Sequence, residues 1–464
     1  MPTNTWDKLP LTLMDELAEK ETYRRDVYRP VYSLHKWWAR RPGSTFRMLG
    51  LAALTDDTVT KADILTERSS GSHDGLYITP DEQIQTDATV LDPFAGGGTT
   101  LVELNRLGAD VIGYELNPVA WWVEKKSTDE VNLDVLEREF DRILAATRAE
   151  LGDLYTTVDP ATGQECEVLY YFQSQRIPCL ECGEDVQLFP RYQLAKTKKT
   201  MSGYLYCPNQ ACDDRVIELP DRSKGLDSGT TVTVDGETVT VTEDGNEVCP
   251  NCGHQFDPND GTYGYGKYTC SNGHKHDVKE TLQRRDERPT FERFALQYVD
   301  PQGTKRMKPF GDHDAACVAD ARERLAAVRA ELPIPDQEIP PGDKTQALLN
   351  YNYDQFSELF TERHLLTFGT LLQKAMAVAD QTFEDADAQN VSEFLVTIAS
   401  SALERNSLLT RWGHSDSKAL SIFTRHAFIP RVQPVESNPL NSSQTVSAPE
   451  HFGNKVLTSK HFCE

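Results

Sequence analysis

The stretch Ala88-Thr89-Val90-Leu91-Asp92-Pro93-Phe94-Ala95-Gly96-Gly97-Gly98-Thr99-Thr100 limits what this chain can fold into more than any other. Ala88–Leu91 is apolar enough for a buried parallel strand, three glycines break the run, and Thr99–Leu107 reads as a helix stopped by Gly108. A second strand, Asp110-Val111-Ile112-Gly113-Tyr114, ends on Glu115, and Asn117-Pro118 opens a further helix, Val119–Lys126. Strand, helix and strand in this order form one right-handed β-α-β unit. Such a unit is the core of a doubly wound sheet, which receives ligands at the carboxyl ends of its strands. The predicted class is therefore α/β.

The residue types in the loop narrow the ligand. Gly96 and Gly98 let a ligand approach the backbone with no Cβ in the way. Glu115, at the tip of the second strand, is placed to accept both hydroxyls of a ribose. A phosphate-cradling loop requires Gly-Lys-Ser/Thr, but here Gly98 is followed by Thr99 and Thr100. A dinucleotide fingerprint requires a third glycine near position 101, which is Leu101. Asp92-Pro93-Phe94 matches neither pattern, and an acid there suits the cationic amino group of a methionine moiety. S-adenosylmethionine is the expected cofactor, against the plainer alternative of a glycine turn that only serves the fold.

Upstream lies Tyr32-Ser33-Leu34-His35-Lys36-Trp37-Trp38-Ala39-Arg40-Arg41-Pro42, followed by an apolar helix through Phe46–Leu51. Two adjacent tryptophans beside a histidine and three bases form either a wall of the cofactor pocket, with His35 and Lys36 near the ligand, or a segment packed on the core with its bases solvated. The chain carries 72 acidic against 48 basic residues, a net charge of −24. That excess is spread along the sequence, as in proteins adapted to high salt. Bases gather locally at Arg24, Arg25, Arg29, Lys36, Arg40 and Arg41 and again at Lys196, Lys198 and Lys199. Local charge, rather than the net value, bears on an anionic partner. No long apolar run or charged-then-apolar leader is present, so the expectation is a soluble, cytoplasmic protein with no membrane partner.

Eight of the ten cysteines fall between Cys166 and Cys270. In a cytoplasmic chain this clustering points to metal before disulfide. Taken in sequence order, Cys179/Cys182 pair with Cys207/Cys212, and Cys249/Cys252 with Cys270/His274, with His276 as an alternative fourth ligand. Each set offers four soft ligands, which suits one or two structural zinc ions with no position left for water. Gly183 and Gly253 follow their cysteine pairs and allow a tight knuckle. Between the sets, Val232–Val241 reads as a hairpin turning on Asp235-Gly236. The metal region is either a folding staple or a DNA-contacting module, with Arg191, Lys196, Lys198, Lys199, Tyr192, Tyr204 and Tyr206 on one face. Cys166, Cys317 and Cys463 read as ordinary thiols.

Residues 286–345 form a charged linker with a helix around Ala315–Glu331 and a proline-rich exit. Beyond it, an amphipathic helix starting at Phe360 and capped by Thr361, and a second from Val391 to Arg405, show the spacing of core packing.

Asp92–Thr99 resembles motif I of amino-group DNA methyltransferases, and Gly113-Tyr114-Glu115-Leu116-Asn117-Pro118 resembles their motif II. His35–Pro42 is similar to the signature of adenine-specific DNA methylases that contain a Zn-ribbon and carry a DUF1156 domain at the N-terminus. The resemblance implies a Rossmann-like methyltransferase sheet with an inserted zinc-ribbon β region and a helical C-terminal part. It implies donor contacts from Asp92, Pro93, Phe94, Ala95, Gly96, Gly98, Thr99, Glu115 and Asn117, with His35 and Lys36 beside them. It divides the chain into 1–54 (DUF1156-like), 55–86 (a surface excursion), 87–150 (donor binding), 165–285 (a double zinc ribbon), 286–345 (linker) and 346–464. In the family the last segment, with Phe423–Pro430 and Glu436-Ser437-Asn438-Pro439, returns the chain to the catalytic sheet.

The Asp/Asn-Pro-Pro-Tyr/Phe motif that holds a flipped base in this class does not occur in the sequence. No catalytic residue is therefore assigned. The sheet is expected to be incomplete, and the expected partners are double-stranded DNA and a second polypeptide carrying the Asp-Pro-Pro-Tyr half. The rival expectation is a zinc-stabilised DNA-binding or regulatory protein whose methyltransferase fold is vestigial.

Overall fold

A computed structural model describes residues 4–23, 30–64, 66–67, 76–77, 84, 86–196, 203–219, 231–234, 237–240, 246–424, 427–443 and 445–463. Arg24, Arg25, Arg29, Lys198 and Lys199, most of the 55–86 excursion, the Asp235-Gly236 turn, and Arg425 and His426 lie outside these residues. The chain forms two compact units, each assembled from separated segments. The first comprises Met1–Arg142, Lys374–Ser401 and Glu450–Glu464, and the second Ile143–Gln373 and Ala402–Pro449.

In the first unit, helices α1 (Leu11–Tyr23) and α2 (Gly43–Leu54) precede strand β1 (Thr89–Asp92), helix α3 (Thr99–Asn105), strand β2 (Asp110–Gly113) and helix α4 (Pro118–Thr128). β1 and β2 pair in parallel, Val90 opposite Val111 and Leu91 opposite Ile112. Side chains alternate across a strand. Val90 and Val111 therefore join the core of Leu17, Met48, Leu51, Leu104 and Leu107, while Leu91 and Ile112 point the other way and are 57% and 46% exposed. The expected β-α-β unit is thus present, and the face with Leu91 and Ile112 is its more exposed one.

The later helix Ala388–Ala402, up to Ser401 a part of this unit, docks on α4. Trp122 Nε1 donates to Thr397 Oγ1 (2.9 Å), and Lys125 and Lys126 both pair with Glu393.

The second unit is built on an antiparallel sheet. Its long strand β3 (Glu165–Pro178) runs into β4 (Asp185–Gln187) through a hairpin. Beyond lie β5 (Gly203–Tyr206) with β6 (Val216–Leu219), β7 (Glu247–Val248) with β8 (Gln255–Phe256), and β9 (Lys267–Thr269) with β10 (Lys275–Asp277), each an antiparallel pair. Strands β11 (Thr290–Val299) and β12 (Lys305–Pro309), helix α5 (Glu362–Met376) and strand β13 (Val435–Ser437) follow. The central order is β12-β11-β3-β13. The hairpin expected over 232–241 is present as Thr231–Val234 paired with Glu237–Thr240. Thr361 caps α5 as expected, its Oγ1 accepting from His364 N (3.2 Å).

Two expectations are corrected. Glu436-Ser437 does not return to the parallel sheet but lies in β13, against Tyr170 and Tyr171 of the antiparallel sheet. Tyr192, Tyr204 and Tyr206 do not offer a face to DNA. They are buried, because their rings pack with Phe189, Phe256 and Phe294 in the core of this unit. Arg191 and Lys196, the described bases of that set, are exposed. Among the described residues, no helix is long and apolar enough to cross a membrane.

Candidate functional site

The loop between β1 and α3 is held in shape by its own backbone and by one carboxylate. Tyr114 N donates to Asp92 O (2.9 Å), and Ala95 N to Tyr114 O (3.1 Å), which ties the loop to the end of β2. Gly96 and Gly98 turn it with φ of 58° and 78°, a region that residues with a Cβ enter only at a cost. Asp92 Oδ1 accepts from Phe94 N (3.0 Å). Glu115 bridges the two crossings, its Oε2 accepting from Gly96 N and its Oε1 from Asn117 N, both at 2.8 Å. The Asn117 amide, followed by those of Gly96 and Leu116, holds the Glu115 carboxyl below its ordinary pKa. Each oxygen keeps a lone pair, so Glu115 remains able to accept from a ligand's hydroxyls while it positions the loop. Asn117 in turn caps α4, accepting from Val119 N and Ala120 N.

These groups suit a nucleoside with a cationic tail. The glycines leave the loop backbone bare of side chains, and Asp92 and Glu115 supply negative charge. Pro93, Phe94, Ala95 and Thr99 shape the loop between them; Phe94 is largely exposed, and Ala95 and Thr99 are buried.

The histidine-tryptophan segment meets this loop through different residues from those the sequence suggested. Trp37 presses on Gly97, where a Cβ would lie 2.9 Å from Trp37 Cδ1, and Trp37 Nε1 is a buried donor with no hydrogen-bond partner. Arg40 donates to Gly97 O (3.2 Å). His35 instead bonds Lys36 O through Nδ1 (3.0 Å), which leaves Nε2 to accept from Ser400 Oγ (3.2 Å), and Lys36 is exposed. The sequence signal for Trp37 and Arg40 was their place in the same motif. Which side of an irregular segment faces a loop has no periodicity to reveal it.

The cysteines form two groups, but not the groups of sequence order. Cys179, Cys182, Cys270 and His274 have their ligand atoms within 4.8 Å of one another, as do Cys207, Cys212, Cys249 and Cys252. The sets are nested, the second inside the loop closed by the first. Each pair of ligands sits at the tip of a hairpin, and the hairpins dock by their apolar flanks. Ile177, Val186 and Leu188 beside Cys179 pack with Tyr268 beside Cys270. Tyr206 and Val216 beside Cys207 and Cys212 pack with Phe256 beyond Cys252. These flanks overturn the sequential pairing.

The first group is also oriented from outside. His274 Nδ1 faces the sulfurs of Cys270 (3.5 Å) and Cys179 (3.8 Å), while its Nε2 lies 3.3 Å from Glu181 Oε2. A carboxylate behind a ligating imidazole fixes its tautomer and orientation. His276, the alternative ligand, instead places Nε2 3.4 Å from the same carboxylate. Asn272 donates to Cys182 Sγ and Asn209 to Cys252 Sγ, both at 3.4 Å. Asn272 is the leading cause that brings the Cys182 thiol down to about 6. Four S or N donors per group, with every position supplied by protein, fit structural zinc. Cys166 is buried and Cys317 partly so, and neither belongs to a group.

In comparison with known proteins, neither the curated proteins nor the solved structures give a match. A family model described as DNA methylase matches residues 80–121, the span that holds β1, the glycine loop, β2 and the first turn of α4. That match supports a DNA methylase domain in this part of the chain, and a methyltransferase family implies S-adenosylmethionine as its donor.

Proposed function

We propose that this chain is the donor-binding and zinc-bearing portion of an S-adenosylmethionine-dependent DNA methyltransferase acting on the N6 amine of adenine. One observation carries the reading: the segment matched by the DNA methylase model is a parallel β-α-β unit whose left-handed glycine loop is tied to the tip of β2 by Glu115. Asp92, Gly96, Gly98, Glu115 and Asn117 hold the donor, and the donor supplies an activated methyl group when bound. Glu115→Ala removes both the ribose acceptor and the brace on the loop. It is expected to weaken S-adenosylmethionine binding about ten- to a hundredfold, roughly 1.4–2.8 kcal/mol, by calorimetry. Unchanged binding would remove Glu115 from the site.

Catalysis in this reading needs a second polypeptide. Seven of the eleven large apolar side chains exposed among the described residues lie between Leu91 and Trp121. Parallel sheets are normally covered on both faces, and patches of this kind mark interaction sites. Leu91 and Ile112, opposite each other on one face of the parallel pair, are thus the surface on which the polypeptide with the Asp-Pro-Pro-Tyr motif docks, with the zinc-bearing region toward double-stranded DNA. The chain alone is expected to transfer no tritiated methyl group from S-adenosylmethionine to unmethylated DNA, and transfer is expected when that polypeptide is added. Leu91→Asp with Ile112→Asp should abolish the stimulation while donor binding stays unchanged. Transfer by the chain alone would end the two-polypeptide part of the proposal.

A further inference from the structure

Beneath the glycine loop lies a carboxyl that the donor site as described above does not use. Glu124, in α4, is only 7% exposed, and its Oε2 is buried without a hydrogen-bond partner. The surrounding backbone makes room for it: a Cβ on Gly113 would stand 2.0 Å from Glu124 Oε1, and one on Gly98 would stand 3.1 Å from Glu124 Cα. Gly98 belongs to the donor loop at the start of α3, and Gly113 ends β2, two residues before Glu115.

Burial first, then the charges of Asp92 at the end of β1 and Glu115 at the end of β2, push the Glu124 carboxyl up to about 7. All three act in the same direction. Lys125 and Lys126, its chain neighbours, are engaged with Glu393, and Arg40 donates to Gly97 O.

A buried carboxyl with no partner is destabilising, and native chains retain few such groups. A purely structural role would have supplied a donor. Three carboxylates converging at the carboxyl ends of two parallel strands, where such sheets bind ligands, form a pocket of negative potential. S-adenosylmethionine carries a sulfonium and an ammonium group. We infer that Glu124 is a further binding residue of the donor site, recognising the positive charge of the methyl donor together with Asp92 and Glu115. This rests on the S-adenosylmethionine reading. A consequence concerns turnover. Methyl transfer moves CH3+ from the sulfonium to the acceptor amine, which then gives up a proton, and the sulfur becomes a neutral thioether. A site that reads the sulfonium charge loosens its hold once that charge is gone.

Calorimetry on the full chain with three probes tests this: S-adenosylmethionine, S-adenosylhomocysteine (which keeps only the ammonium) and 5′-methylthioadenosine (which keeps neither charge). Glu124→Gln preserves shape and removes the charge. It is expected to weaken S-adenosylmethionine about tenfold and to leave 5′-methylthioadenosine within about twofold. The S-adenosylhomocysteine arm identifies the charge that is read: an unchanged affinity points to the sulfonium, a parallel loss to the ammonium. Equal weakening of all three probes, or of none, overturns the inference while the donor reading stands. A wild-type chain that binds none of them overturns both. Should Glu124→Gln fail to fold by near-ultraviolet circular dichroism, Glu124→Asp, with its charge one methylene further back, is expected to show the same selective loss at a smaller factor.

Discussion

Replacing Cys179 and Cys270 together by serine is expected to leave one zinc ion bound at full affinity and to remove the other, measured by atomic absorption and chelator competition. The two cysteines belong to one group of four in the structure, so the double variant strips two ligands from a single site. Cys207→Ser with Cys249→Ser should do the reverse. Under sequential pairing each of these variants would injure both sites by one ligand, and neither ion would keep its wild-type affinity. The effect on the fold is expected to be large. Structural zinc in small modules contributes roughly 10–16 kcal/mol of apparent binding free energy, comparable to the ~5–15 kcal/mol that holds a domain together. Cys179 closes the β3–β4 hairpin, its N–H bonding Glu184 O (2.7 Å), and β3 is the strand through which β11, β13 and β4 are joined. Loss of the outer ion should therefore lower the melting temperature of the second unit more than loss of the inner one. An equal effect of the two double variants on melting would remove that ranking.

The pairing shows where sequence reasoning stops. Spacing identified the candidate metal ligands because a knuckle is local: two donors, a tight turn, and Gly183 or Gly253 to complete it. Which knuckles share an ion depends on Tyr268 reaching Pro178 O and on Asn251 reaching Asp214 O, contacts between hairpins far apart in the chain. The β-α-β unit was legible for the same local reason, since strand, glycine turn, helix and capping Asn117 each carry their own signal. Tyr204 and Tyr206 were misread because a run rich in aromatics beside lysines suits a nucleic-acid face as well as a core strand, and only the packing of Phe294 decides between them. Glu124 carries no signal of its own in the sequence. Its meaning depends on Gly98 and Gly113 lying against it.

The same limit hid the charge network of the second unit, whose disruption should be the other large effect. Glu436 is fully buried on β13 and accepts from four groups: Arg363 Nε (2.8 Å) and Thr361 Oγ1 (3.0 Å) at Oε1, and Arg293 Nε (2.9 Å) and Gln173 Nε2 (3.3 Å) at Oε2. Arg363, equally buried, also stacks over Tyr171 with its guanidinium carbon 3.7 Å from the ring centre and donates to Leu154 O (3.2 Å). One carboxylate thus joins β3, β11, α5 and β13. Glu436→Gln keeps the shape but leaves two arginines without their counter-ion, one of them fully buried. Breaking a buried pair from one side costs about 3–5 kcal/mol, which should appear as a lower urea midpoint with an unchanged slope. Burial raises the Glu436 pKa, but Arg293 and Arg363 together hold it far below the carboxylate range. A carboxyl whose pKa is lower folded than unfolded stabilises the protein fully above its unfolded value, near ~4.3 for glutamate, and loses that contribution as the pH falls toward the folded value. The stability gap between wild type and Glu436→Gln should accordingly be constant from about pH 8 to 5.5 and shrink below about pH 4.3. A gap that narrowed already between pH 7 and 6 would mean that a different group carries the difference.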